Sequence, residues 1–198
     1  MRVLLVGASG TVGKAAASGL ARHDIVAAGR TTGDVKVDLM DEAAIRAMFE
    51  KVGPVDAIVA TLGHTHFGPL VDMTSQNFMK GINDKLMVQI NLVLLGLRYV
   101  MDGGSFTLTS GVTNRDVIRK GANAAAVNGA LDAFVKSAAI EMPRGIRINV
   151  VSPGLLEDSA VKYDGFFPGH EPVSAARVGV AYAKSVEGAL TGQVIIVE

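Results

Sequence analysis

The sequence predicts an α/β fold in which one domain carries a doubly wound parallel sheet with helices on both faces. Short runs of β-branched residues alternate with longer helical stretches along the chain, and such alternation implies right-handed crossovers between parallel strands. The length of 198 residues suits one domain. The residues are 49% hydrophobic but only 5% aromatic, so small aliphatic side chains fill the core, as in a sheet that is covered on both sides.

Each element follows from local pattern. The first strand is predicted at 2–6 and the first helix at 11–22. A long helix is predicted over 74–101, with a break near Gly81, and an alanine-rich helix over 122–142. The irregular segment 153–172 is either a loop that covers a substrate or a plain surface excursion. The remaining strands are predicted at 25–28, 35–37, 57–60, 105–108, 147–151 and 193–197, and the remaining helices at 41–52, with Asp41 as its N-cap, and 175–185.

Composition restricts the partners and the location of the protein. The formal net charge is zero, so nothing suggests nucleic acid or an anionic membrane as a partner. Cysteine is absent, which excludes disulfides and cysteine-ligated zinc, and we predict no metal site. The apolar run 92–97 is far too short to span a bilayer, and no leader-like segment precedes the first strand. We expect a cytoplasmic protein that acts on a small molecule.

A glycine-rich turn follows the first strand. The letters V-G-A-S-G-T-V-G start at position 6 and lead into the first helix. Glycine here allows an unusual φ, a close approach of the backbone to a pyrophosphate and tight packing of the helix on the strand. Free N–H groups at the start of the helix bind phosphate. This context predicts a Rossmann-type dinucleotide site formed by Gly7, Ser9, Gly10, Thr11, Val12 and Gly13.

The end of the second strand bears on the choice of cofactor. An NAD site would carry an acidic residue there for the ribose 2′-hydroxyl, but none lies between Asp24 and Asp34. Arg30 instead offers a cationic fork for a 2′-phosphate, and Thr31 adds a donor. We therefore predict NADP(H) rather than NAD(H). The alternative is that Arg30 is an ordinary surface arginine.

The order of these motifs resembles the short-chain dehydrogenase/reductase family over nearly the whole chain. The stretches G-G-S-F-T-L-T-S-G at 103–111 and E-M-P-R-G-I-R-I-N-V-V-S-P-G at 141–154 are the most distinctive. They resemble the strand that ends in the catalytic serine and the segment beside the nicotinamide. The resemblance implies Ser110 as the serine and, as cofactor contacts, Asp38 and Leu39 in V-D-L, Gly63 in A-T-L-G, and Pro153 and Gly154.

The family's catalytic tyrosine and lysine, in a Tyr-x-x-x-Lys motif, are missing. Four residues beyond Tyr99, Tyr163 and Tyr182 stand Gly103, Phe167 and Val186. Counting back from Glu141 puts Ala124 at the tyrosine position and Asn128 at the lysine position, whereas counting forward from Ser110 puts Asn123 at the tyrosine position. In this respect the chain is similar to a divergent subgroup of the family that lacks the pair.

Several residues are candidates to replace the missing pair. The position of the family's relay asparagine falls on Lys85, or on Asn91 in another helix register. A desolvated lysine has a lowered pKa and can act as an acid or a base, although an exposed helix lysine is the simpler interpretation of Lys85. Ser110 could polarise a carbonyl, and Asn128 could bind the cofactor ribose. His64, His66 and Tyr163 are weaker candidates.

Two functions remain open at this point. The first is an NADP(H)-dependent oxidoreductase of unknown substrate, with Ser110 and Lys85 as its catalytic residues. The alternative is a catalytically inactive dinucleotide-binding sensor or partner protein, because the acid–base pair is absent. The helices at 74–101 and 122–142 resemble those that form the family's dimer contact, so we expect a homodimer or a homotetramer.

Overall fold

The computed structural model describes residues 1–198, in which seven strands form one parallel sheet. The strands are Arg2–Val6 (β1), Asp24–Gly29 (β2), Val35–Lys36 (β3), Val55–Ala60 (β4), Val100–Thr109 (β5), Arg147–Pro153 (β6) and Val194–Val197 (β7). The helices are Thr11–Gly19 (α1), Glu42–Val52 (α2), Ser75–Gly81 (α3), Val88–Gly96 (α4), Ala122–Ala138 (α5), Glu157–Ala160 (α6) and Ala175–Glu187 (α7). A π-helical segment, Ile82–Met87, joins α3 to α4.

The strand order β3-β2-β1-β4-β5-β6-β7 confirms the doubly wound fold. The chain builds outward from β1 in one direction, returns to the other side of β1 at β4, and then builds outward again. Loops after β1 and β4 leave the sheet in opposite directions at this reversal, which opens a crevice at the carboxyl ends of the strands. The glycine-rich turn follows β1, so the topology places it at the crevice.

Successive side chains along β1 pack alternately into two core layers, one on each face of the sheet. Val3 and Leu5 pack in a layer with α1 and α7, where Tyr182 is fully buried. Leu4 and Val6 pack on the opposite face in a layer built with α2, α4 and α5. Both faces of the sheet are therefore covered, which explains why its strands are almost continuously apolar.

The break predicted near Gly81 is confirmed, because α3 ends at that residue, but the predicted helix over 74–101 was too long. The helical chain is interrupted by the π-helical segment, and residues from Val100 onward already belong to β5. Val100 is buried and pairs with Val55, so a tertiary contact ends the helix where its local sequence would allow it to continue. The predicted strand 105–108 was correspondingly too short.

The segment 153–172 is more ordered than predicted. It contains the short helix α6, and Leu156 forms an isolated bridge with Val173 that ties the base of the segment together. None of the helices combines the length and the apolar character needed to cross a bilayer.

Candidate active site

A cleft of about 770 Å³ lies at the carboxyl edge of the sheet. It runs from the glycine-rich turn, past the ends of β4 and β5, to the segment 153–172. Its position agrees with the rule that such sheets bind ligands at the reversal of strand order. Eleven of the predicted site residues line it: Gly7, Ser9, Gly10, Thr11, Val12, Gly63, Lys85, Ser110, Asn128, Pro153 and Gly154.

The glycine-rich turn has the conformation that a phosphate site requires. Gly7 has a φ of +90°, and its N–H donates to Ala28 O at 2.8 Å, which fixes the turn against β2. A Cβ on Gly13 would lie 2.1 Å from Gly7 O, so only glycine lets α1 approach the turn this closely. The start of α1 has neither a side-chain cap nor an acidic residue in its first turn, and its N–H groups stay available to an anion.

Five predicted cofactor residues do not line the cleft. Gly13 is buried behind the turn, and Leu39 packs against the core. Arg30 and Thr31 are exposed beyond the end of β2, on the same edge of the sheet as the glycine-rich turn. Asp38 is exposed and its Oδ1 accepts from Met40 N at 3.0 Å.

Lys85 is the centre of the polar network in the cleft. Its Nζ donates to Ser110 O at 2.9 Å and to Asn128 Oδ1 at 2.8 Å. Asn128 in turn donates from Nδ2 to Thr113 Oγ1 at 2.9 Å, which orients its amide. The interpretation of Lys85 as an exposed helix lysine was therefore wrong: the π-helical segment turns it into the cleft, and π-helical turns frequently occur at functional sites.

Burial lowers the pKa of the Lys85 amine to about 8, against a smaller opposing effect of the Asp132 carboxylate. The ammonium loses its hydration and gains two neutral acceptors, with no carboxylate bound to it directly. Gly63 makes this placement feasible. A Cβ at that position would lie 2.5 Å from Lys85 Cγ, and the φ of Gly63 is +122°.

The Ser110 hydroxyl is buried without a partner. The residue is only 3% exposed, its Oγ has no hydrogen bond, and it lines the cleft. Its backbone is fully engaged, because the N–H donates to Val151 O and the carbonyl accepts from Lys85. A buried hydroxyl usually finds a partner in the protein, so the Ser110 hydroxyl is free to bond a group that enters the cleft.

The two residues that the sequence counts put at the tyrosine position differ in their surroundings. Ala124 lines the cleft, whereas Asn123 is buried and does not line it; its Oδ1 accepts from His66 N and its Nδ2 donates to Phe78 O. Tyr99 stacks on Phe49 in the core.

Tyr182 is also structural. It is fully buried and hydrogen-bonded to Thr109, and burial raises its pKa above the usual range. Tyr163 is thus the one tyrosine that lines the cleft, and His64 lines it as well.

The segment 153–172 closes one end of the cleft with aromatic side chains. Tyr163 packs against Phe67, which follows β4, with ring centroids 6.0 Å apart, and against Phe167 at the same distance. His170 Nε2 lies 3.0 Å from Asp116 Oδ2, in the loop after β5. Phe67, Phe167 and Thr113 were not singled out from the sequence, because they share no motif and meet only through the fold.

Arg115 lies after β5 and binds the end of β6. Its guanidinium donates to Ser152 Oγ at 2.5 Å and to Ser152 O at 3.2 Å. Ser152 directly precedes Pro153 and Gly154, so Arg115 fixes the strand end that forms this wall of the cleft.

Known proteins similar to this chain agree on its family. A family model described as Enoyl-(Acyl carrier protein) reductase matches residues 2–196. L-xylulose reductase of Mesocricetus auratus is 27% identical in an alignment 205 residues long, which covers 94% of this chain and 84% of that protein. The human L-xylulose reductase is 28% identical over 177 residues, which cover 80% and 72% respectively.

Solved structures give the same result at the level of the fold. The crystal structure of the protein lin1944 from Listeria innocua is 51% identical, with a TM-score of 0.98 over 100% of both chains. A small-chain dehydrogenase in complex with NADPH is 28% identical, with a TM-score of 0.88 over 100% of this chain and 96% of that one. Because the family model matches almost the entire sequence, this chain belongs to the short-chain dehydrogenase/reductase family of oxidoreductases.

Proposed function

We propose that this chain is an NADP(H)-dependent oxidoreductase that interconverts a carbonyl compound and its alcohol, with Lys85 as the proton donor and acceptor. One observation carries the proposal: the Lys85 amine, held by Ser110 O and Asn128 Oδ1, lies in the same cleft as the unpartnered Ser110 hydroxyl. A proton source and a free hydrogen-bond donor on neighbouring groups are what the reduction of a carbonyl requires.

The residues along the cleft fit a dinucleotide. The uncapped start of α1 and the positive φ of Gly7 suit a pyrophosphate. Arg30 lies beyond β2 with its side chain exposed, where it can pair with a 2′-phosphate. NADP(H), when bound, supplies or accepts the hydride. A related small-chain dehydrogenase was solved in complex with NADPH, which supports this choice.

The chain's own residues divide the remaining work. Ser110 Oγ donates a hydrogen bond to the substrate oxygen, and Lys85 Nζ delivers a proton to that oxygen during reduction or removes one during oxidation. With its pKa near 8, the amine exchanges protons readily around neutral pH. Asn128 holds the amine but cannot itself exchange a proton, and Thr113 fixes the orientation of Asn128.

Compared with the family pattern, the lysine and the asparagine have exchanged helices. The resemblance puts an asparagine at position 85 and a lysine at position 128, whereas this chain has Lys85 and Asn128, in contact at 2.8 Å. The exchange keeps an ammonium in the site while removing the phenol, since Ala124 occupies the position of the tyrosine. On this basis we also propose that the chain belongs to a divergent subgroup without the Tyr-x-x-x-Lys pair.

A second candidate is a dinucleotide-binding sensor or partner protein without turnover. The methyl group of Ala124 favours it, because no phenol is present where the family has its proton donor. For either function we propose a homodimer or a homotetramer, since Met79, Met87 and Leu94 leave exposed apolar surface along α3, α4 and the π-helical segment.

Turnover of the wild type separates the two candidates, and replacement of Lys85 tests the role of that residue. We expect wild type to oxidise NADPH with at least one member of a panel of aldehydes, ketones and quinones, and Lys85→Met to lose about 100-fold or more in kcat/KM. Lys80→Met, on the exposed side of α3, serves as the control. Turnover that survives in Lys85→Met would contradict the role of Lys85, whereas NADPH binding without turnover in wild type would favour the sensor.

A further inference from the structure

Aromatic side chains are scarce in this chain, and four of them lie together at one end of the cleft. The sequence has seven phenylalanines, three tyrosines and no tryptophan. Four of these side chains, Phe67, Tyr163, Phe166 and Phe167, touch one another, and we call them the aromatic wall. Other aromatic side chains, Phe49, Phe106 and Tyr182, are buried in the two core layers, whereas those of the aromatic wall lie outside these layers.

Three members of the aromatic wall line the cleft: Phe67, Tyr163 and Phe167. Their rings meet at steep angles, with interplanar angles of 52° for Phe67 and Tyr163 and 81° for Tyr163 and Phe167. Rings arranged in this way present both edges and faces to the space between them. Aromatic pairs prefer such offset or edge-to-face arrangements, and each pair contributes beyond the area it buries.

The cleft therefore has two chemically different ends near the segment 153–172. One end carries the hydroxyl of Ser110 and the amine of Lys85. The other is formed by the aromatic wall, and Ala124 adds a small side chain to the lining of the same cleft. Sites that bind small molecules typically combine an apolar lining with a few polar groups that fix orientation.

We infer that the substrate is a carbonyl compound, or the corresponding alcohol, in which an aromatic or extended planar conjugated group is attached to the reacting carbon, and that Tyr163 selects for it. The inference rests on the proposed function for the carbonyl, which binds Ser110 Oγ. The planar group lies against the aromatic wall. Lys162, whose Nζ is 5.2 Å from the centre of the Tyr163 ring, forms the polar rim at the solvent side.

Two ketones of similar size test this preference without any need for turnover. Acetophenone and cyclohexyl methyl ketone carry the same acetyl group, but only the first is aromatic. We expect calorimetric titration in the presence of NADP⁺, which cannot reduce them, to show acetophenone binding about fivefold tighter, in line with one favourable aromatic contact. Equal affinities, or no binding of either ketone, would overturn the inference.

Variants of the aromatic wall identify the source of the preference. Tyr163→Phe keeps the ring and should bind acetophenone as wild type does, whereas Tyr163→Ala and Phe67→Ala should each abolish the preference while leaving the affinity for cyclohexyl methyl ketone within about twofold. Val161→Ala is the matched control, because Val161 belongs to the same segment and its side chain is exposed. Equal loss for both ketones in the alanine variants would mean that the aromatic wall only closes the segment over the cleft, and would overturn the inference.

The same samples distinguish this inference from the proposed function. If acetophenone binds preferentially but is not reduced when NADPH replaces NADP⁺, the assignment of an aromatic ligand stands and the assignment of an oxidoreductase fails. If ketones are reduced without preference for the aromatic one, the assignment of an oxidoreductase stands and the assignment of an aromatic ligand fails.

Discussion

The chemistry of single residues in the cleft depends on where each polar atom finds its partner. Lys85 has two acceptors for its three N–H groups, and Ser110 Oγ has no partner at all. The third N–H group of Lys85 and the hydroxyl of Ser110 are therefore available to a ligand. Asn123, which the count forward from Ser110 puts at the tyrosine position, has both ends of its amide engaged by backbone atoms and is structural.

The pH dependence of the reaction should follow the Lys85 amine. Its pKa is lowered to about 8, so the ammonium that reduction needs is present below this pH and is lost above it. We expect kcat/KM for carbonyl reduction to be level up to about pH 8 and to fall beyond it, and kcat/KM for alcohol oxidation to rise through the same pH. Profiles measured in both directions with NADP(H) check this, and profiles without any inflection near pH 8 would contradict it.

A measurement without substrate gives the same pKa independently. Competitive labelling of amines with acetic anhydride, followed by mass spectrometry of the peptide that contains Lys85, reports its titration directly. Lys85→Met removes that label and is the control for its assignment.

At the scale of elements, the π-helical segment and the loop after β4 fit each other only because position 63 lacks a side chain. A Cβ on Gly63 would lie 2.5 to 2.8 Å from three atoms of Lys85. The segment 153–172 is held by the bridge of Leu156 with Val173 and by the packing of Tyr163 on Phe67. Local contacts between elements thus set the shape of the cleft.

Gly63→Ala should displace Lys85 and destabilise the fold. Overpacking and the positive φ together predict a loss of about 2 to 4 kcal/mol in the free energy of unfolding, measured by urea denaturation. Gly103→Ala is the matched control, because its φ is also positive, at +74°, but nothing lies within 4 Å of its new Cβ. Equal losses in the two variants would mean that Gly63 is needed only for its backbone conformation.

The elements also show which structural features can be predicted from the sequence alone and which cannot. Strand β1 was predicted to the residue, and the N-cap Asp41 accepts from Ala43 N as expected, because β-branched runs and capping residues act locally. The contacts of Lys85 with Ser110 and Asn128 span 25 and 43 residues and depend on a π-helical turn that no local pattern announces. The aromatic wall likewise joins position 67 to positions 163–167 only through the fold.

For the whole molecule, the order of the seven strands creates one crevice, and the glycine-rich turn, Lys85, Ser110 and the segment 153–172 all meet there. The family of the chain follows from the match over residues 2–196. Its central functional feature, as proposed above, is an NADP(H) site that serves an exchanged lysine–asparagine pair. Both the choice of cofactor and the existence of the site can be tested before any substrate is known.

Titration of the purified protein with NADPH, NADP⁺, NADH and NAD⁺, in parallel with Arg30→Ala and with Arg46→Ala as an exposed control, tests this claim most directly. We expect NADPH and NADP⁺ to bind more tightly than NADH and NAD⁺. Arg30→Ala should weaken binding of the two phosphorylated forms by about 10- to 100-fold, the contribution of hydrogen bonds to a charged group, and leave the other two unchanged. Failure of all four to bind, or equal binding of all four that Arg30→Ala leaves unaltered, would contradict the account.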